Sequence, residues 1–96
     1  MSANQKVYLS GHIDVPEDQW TAVAAALPTH VSLTHEEPGC ISFEVTKCPD
    51  VERRFLVAEI FKNQAAFEAH QVRTKASDWA EISKDCPRNF SIETRD

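Results

Sequence analysis

The stretch Arg53–Phe61, RRFLVAEIF, is apolar on both of its alternating rows. In an extended strand Phe55, Val57, Glu59 and Phe61 share one face, and Leu56, Ala58 and Ile60 share the other. A strand that is apolar on both faces needs cover on both. A chain of 96 residues has helix enough for one side of a sheet only. The other side therefore calls for a second copy of the chain or a bound ligand. Domains of this size bury only about 60–65% of their unfolded surface, which also favours association.

Working outward, Lys6–Val15 alternates in the same way. Val7, Leu9, Gly11, Ile13 and Val15 point one way, while Tyr8, Ser10, His12 and Asp14 point the other. Pro16-Glu17-Asp18 supplies proline and acids for a helix start. Trp20, Val23, Ala24, Leu27 and Val31 continue at helical spacing, so this helix covers the sheet. Pro28 falls inside that pattern and predicts a kink or a split. Glu37-Pro38-Gly39 ends the helix, and Cys40–Lys47 alternates as a strand with Ile41, Phe43 and Val45 on one side. Cys48-Pro49-Asp50 is turn chemistry. Asn63 is a suitable N-cap for a short helix carrying Ala66, Phe67 and His70. A further helix is predicted from about Thr74 to Ser83, with Trp79 and Ile82 buried, and a last strand over Arg88–Thr94 with Phe90 and Ile92 on its apolar side. The order β-α-β-β-α-α-β is that of a ferredoxin-like α+β domain with an antiparallel sheet, one domain over residues 1–96 with its core at about 6–94. The uncovered face should carry Tyr8, Ser10 and His12 beside one apolar row of the third strand, which suits a ligand pocket, a dimer contact or both.

The formal net charge is −5 and the pI about 5.3. No stripe of Lys and Arg is present to neutralise phosphates, which argues against nucleic acid. No apolar run approaches a membrane span, and the N-terminus lacks the apolar stretch of a secretion signal, so a cytoplasmic protein is expected. Cys40, Cys48 and Cys86 are an odd number at wide spacings without a CxxC, which reads as three reduced thiols and no metal site.

Two longer motifs then stand out: Glu37-Pro38-Gly39-Cys40-Ile41-Ser42-Phe43-Glu44-Val45, and Glu59-Ile60-Phe61 followed by Ala66-Phe67-Glu68-Ala69-His70. With the first strand leading into Val15-Pro16-Glu17, they resemble the antibiotic biosynthesis monooxygenase family from about residue 6 to residue 94. The resemblance implies a dimeric α+β barrel in which two sheets pack through their uncovered faces. It also implies, in one branch, oxygenation of a small quinol or phenol by O2 with no cofactor. The haem-degrading branch has Asn on the first strand, Trp at the end of the short helix and His on the next. Those places hold Gly11, His70 and Ala80 here, so haem breakdown is disfavoured. His70 instead resembles the histidine that quinol-oxidising members carry.

Such chemistry needs a base working near neutral pH, donors to hold an anion, and a dry apolar cavity. His70 is the first candidate base; a helix C-terminal histidine meeting free carbonyls fits the sequence equally. His12 is the second, as a face residue that also suits a dimer contact. Tyr8 and Ser10 are donors that could hold a substrate oxygen. Glu59, an acid in an apolar row, must be paired, hydrogen-bonded or protonated; it could serve as an acid, orient a histidine, or pair with Arg53, Arg54 or Arg73. Phe55, Phe61 and Trp79 are candidate stacking surfaces among aromatics that mostly belong to the core. His30 and His35 are expected to be solvated, and Glu36-Glu37 to be a turn without chemistry. The alternatives to an oxygenase are a non-catalytic dimer that binds a small aromatic molecule, and an isomerase of a phosphorylated sugar. The isomerase needs a cationic pocket, for which the first strand offers only Lys6.

Overall fold

The computed structural model describes residues 5–95. Four strands, β1 (Lys6–Asp14), β2 (Cys40–Lys47), β3 (Arg54–Phe61) and β4 (Arg88–Arg95), form one sheet in the order β2-β3-β1-β4. All neighbours are antiparallel. Helices α1 (Trp20–His35), α2 (Gln64–Lys75) and α3 (Asp78–Ile82) complete the expected order. The ferredoxin-like α+β reading stands.

Register decides which side chains the helices cover. Val7, Leu9 and Ile13 lie opposite Phe61, Glu59 and Phe55, and all six are buried. They form two apolar clusters, one around Val7, Leu9, Phe43, Val57, Phe61 and Phe67, the other around Ile13, Val15, Val23, Phe55, Trp79 and Cys86. Tyr8, Ser10 and His12 lie opposite Ile60, Ala58 and Leu56. No helix among the described residues covers that second face, and Leu56 on it is 39% exposed.

Several local expectations are corrected. Pro16-Glu17-Asp18 opens a 3-10 turn over Glu17–Gln19, and the α-helix begins at Trp20. Pro28 does not split α1; it sits on the exposed side, where the carbonyl it leaves without a donor can turn to water. The helix capped by Asn63, whose Oδ1 accepts from the Ala66 amide at 2.8 Å, is not short. It runs through to Lys75, which puts His70 in its middle, and a separate five-residue helix follows at Asp78–Ile82.

Gly11 cannot be replaced without cost. Its φ is +154°, and a Cβ there would lie 1.9 Å from the Asn89 carbonyl oxygen and 2.8 Å from the Phe90 ring. The missing side chain lets the Phe90 ring settle over β1 between Leu9 and Ile13. Phe90 thereby joins the floor of a hollow between sheet and helices.

Candidate functional site

A pocket of about 260 Å³ lies between the two apolar clusters, under the helices. Its walls are mostly Leu9, Ile13, Leu27, Phe43, Val45, Val57, Trp79 and Phe90. Polar groups enter at a few points only: His30, Glu59, His70, Gln71, Thr74 and Arg88. Apolar walls with a few converging polar groups are the usual make-up of a small-molecule site.

His70 is 4% exposed and held from both sides. Its Nδ1 is 3.1 Å from Glu37 Oε1 and 3.2 Å from Oε2. Glu37 is ion-paired with Arg73, whose Nη2 also donates to Thr34 Oγ1 at 2.9 Å. A carboxylate can only accept, so Nδ1 carries the ring hydrogen and Nε2 keeps its lone pair. Nε2 faces the Thr74 hydroxyl at 3.4 Å and Glu59 Oε1 at 3.8 Å. Burial pulls the His70 pKa below its usual 6.5, against the Glu37 carboxylate, which raises it. An imidazole held in this way can accept a proton at Nε2.

Glu59 has the opposite problem. Burial, helped by the charge on Glu37, pushes its pKa up from 4.5 to about 7, and its Oε1 is buried with no hydrogen-bond partner. Neither Arg53, Arg54 nor Arg73 pairs with it: Arg54 is bound to Asp14 and Arg73 to Glu37. Below about pH 7 the carboxyl is mostly neutral, and beside a neutral imidazole it gives one pocket a proton donor and a proton acceptor. His30 is buried, and its ring lies flat on Trp79 with centroids 4.8 Å apart. Burial first, then the charge of Arg73, lowers its pKa to about 4, and its Nδ1 also lacks a partner. Two unpartnered buried polar atoms call for a ligand or water in this space.

The family model for antibiotic biosynthesis monooxygenase matches residues 7–82. The chain belongs to this family. Among solved structures it is similar to protein SO0527 from Shewanella oneidensis, with 27% identity, a TM-score of 0.69, and coverage of 95% of this chain and 89% of that one. It is also similar to a protein from Nitrosomonas europaea provisionally named an antibiotic biosynthesis monooxygenase, with 22% identity, a TM-score of 0.75, and coverage of 97% and 91%. A curated relative, the uncharacterized protein sll1783 of Synechocystis sp., is 28% identical over 83 residues. The match covers 86% of this chain but only 56% of that relative's length.

In this antibiotic biosynthesis monooxygenase domain the residues singled out from sequence fall into two groups. His70, Glu59 and Trp79 line the one pocket, and Phe61 backs it with its ring 4.8 Å from that of His70. Phe55 is core, stacked on Trp20 at 5.1 Å. Tyr8, Ser10 and His12 are on the other side of the sheet, where Tyr8 lies under Arg95. The sheet therefore separates His12 from His70, so they do not share a site. Two expectations change. His30 is buried in the pocket wall rather than solvated; Glu37 lies in the turn after α1 as expected, but from there its carboxylate meets His70 Nδ1. His35, by contrast, is exposed, although its ring meets the Phe43 carbonyl at 2.9 Å. The spacing Val23, Leu27, His30, Thr34 follows successive turns of α1 and would have placed His30 on the covered side. Nothing local marks Glu37, whose partner His70 is far along the chain.

No helix among the described residues is long and apolar enough to cross a membrane. Among those residues no three His, Cys, Asp or Glu side chains are gathered as a metal site.

Proposed function

We propose that this domain is a cofactor-independent monooxygenase of a small quinol or phenol, with His70 as the base and Glu59 as the acid. The observation that carries the reading is His70 itself, fixed through Nδ1 by Glu37 with Nε2 turned toward the apolar pocket. The substrate hydroxyl gives its proton to Nε2, and the imidazolium that forms is stabilised by Glu37. The phenolate then reduces O2, and a carbon–oxygen bond forms; the His70 imidazolium returns its proton to the terminal peroxide oxygen to give a ring hydroperoxide. Nε2 of His70 takes the proton on that carbon as the O–O bond cleaves, which leaves a carbonyl. The departing hydroxide takes a proton from Glu59 and leaves as water, and the imidazolium reprotonates Glu59. One substrate and one O2 give one quinone and one water, and all four electrons come from the substrate. Phe43, Trp79 and the neighbouring aliphatic side chains hold the ring and keep water from the hydroperoxide.

The open face is the surface for a second copy. Leu56, Ala58 and Ile60, with Tyr8, Ser10 and His12 around them, pack against the same patch of the partner to close a dimeric barrel. His12, Tyr8 and Ser10 then act at the interface rather than on substrate.

Oxygen uptake tests the chemistry. With small hydroquinones and naphthols and no added cofactor, uptake should match substrate consumption one to one. His70→Ala should lower kcat/KM on the order of 100-fold. No uptake with any of these substrates, or uptake unchanged in His70→Ala, refutes the assignment.

A further inference from the structure

Arg88 lines the pocket where β4 begins. Its guanidinium is held by protein oxygens that carry no charge: Nη2 donates to Ser83 Oγ at 2.7 Å and Nη1 to the Cys86 carbonyl at 3.3 Å. Among the described residues Arg53, Arg54, Arg73 and Arg95 each have a carboxylate partner, and Arg88 has none. Arg88 is the one Lys or Arg among the residues that line the pocket, so it brings a positive charge to this site in a chain of net charge −5. The fork geometry of its free N–H groups matches a planar carboxylate.

Size narrows the guest further. A dry apolar cavity of about 150 Å³ holds one benzene ring. The 260 Å³ here is room for one ring or two fused rings. We propose that the pocket takes a mono- or bicyclic hydroxyarene bearing a carboxylate, with the carboxylate on Arg88 and the hydroxyl at the His70–Glu59 end. The inference rests on the oxygenase reading for the orientation of the hydroxyl, and it deepens that reading by naming the substrate class. Arg88 is a specificity residue here: it selects the acid and takes no proton.

The test measures binding, so it does not depend on turnover. Three probes of one ring skeleton, 6-hydroxy-2-naphthoate, its methyl ester and 2-naphthol, are titrated calorimetrically with O2 excluded near pH 6.5, at which the probe acid is ionised. The acid should bind at least about tenfold more tightly than the ester or the naphthol. Arg88→Gln should bring the three within about threefold of one another, and Arg88→Lys should keep part of the preference. Arg88 is exposed, so both variants should fold; circular dichroism checks this. Equal affinities in the wild type, a preference that survives Arg88→Gln, or no binding of any probe overturns the proposal. If the acid is preferred through Arg88 while no quinol supports oxygen uptake, the oxygenase reading fails and the carboxylate subsite stands.

Discussion

Glu59→Gln should change how stability depends on pH, by an amount that follows from where the carboxyl sits. Glu59 is 7% exposed, and its pKa is raised by burial from 4.5 to about 7. An unfolded chain gives up this proton near 4.5, whereas the folded one keeps it until about 7. Between those values the native state binds more protons than the unfolded state, so stability falls as pH rises and levels off above 7. At about 1.36 kcal/mol per pH unit, the full loss is on the order of 3 kcal/mol, most of it between pH 5 and pH 8.5. Glutamine keeps the shape and cannot ionise. The difference between wild type and variant therefore reports the Glu59 carboxyl together with its coupling to His70, 3.8 Å away. Urea unfolding at the two pH values measures that difference. The variant should gain on the order of 2–3 kcal/mol on the wild type on going from pH 5 to pH 8.5. A difference that does not move with pH, or that moves the other way, would show that Glu59 is solvated or paired in the folded protein.

Two other substitutions follow from the same geometry. Gly11→Ala puts a methyl group against the Asn89 carbonyl and Phe90 and should cost on the order of 2–3 kcal/mol by thermal unfolding; an unchanged Tm contradicts the close approach of β1 and β4. Glu37→Gln removes the charge that raises the His70 pKa but leaves an acceptor for Arg73. It should lower kcat by roughly tenfold or more and move the acid limb of the kcat/KM profile to lower pH; a profile left in place means that Glu37 does not orient the base.

Much of the fold was legible because period-two alternation in Lys6–Val15, Cys40–Lys47 and Arg53–Phe61 is a local property, and the Asn63 cap is another. The same alternation separated Tyr8, Ser10 and His12 from the row of Leu9 and Ile13. Since the helices cover the Leu9 row, His70 on α2 had to face that row, and His12 had to lie beyond the sheet. The site was only half legible because its polar contacts are long-range. Glu37 meets His70 across the gap between the end of α1 and the middle of α2. His30 becomes a wall residue only when Trp79 of α3 closes over it. Arg88 stood out in no local pattern, and the role proposed for it rests on its place in the pocket wall without a carboxylate in ion-pair reach.

Whether His70 takes a phenol's proton can be read without any oxidation. A nitrophenol changes colour when it ionises and does not reduce O2. Bound to the wild-type protein at a pH just below its own pKa, it should absorb as the phenolate, because Nε2 of His70 accepts the proton and Glu37 holds the resulting charge. In His70→Ala the bound dye should absorb as the neutral phenol. A bound dye that stays neutral in the wild type, or that ionises equally without His70, would contradict a histidine base in this pocket.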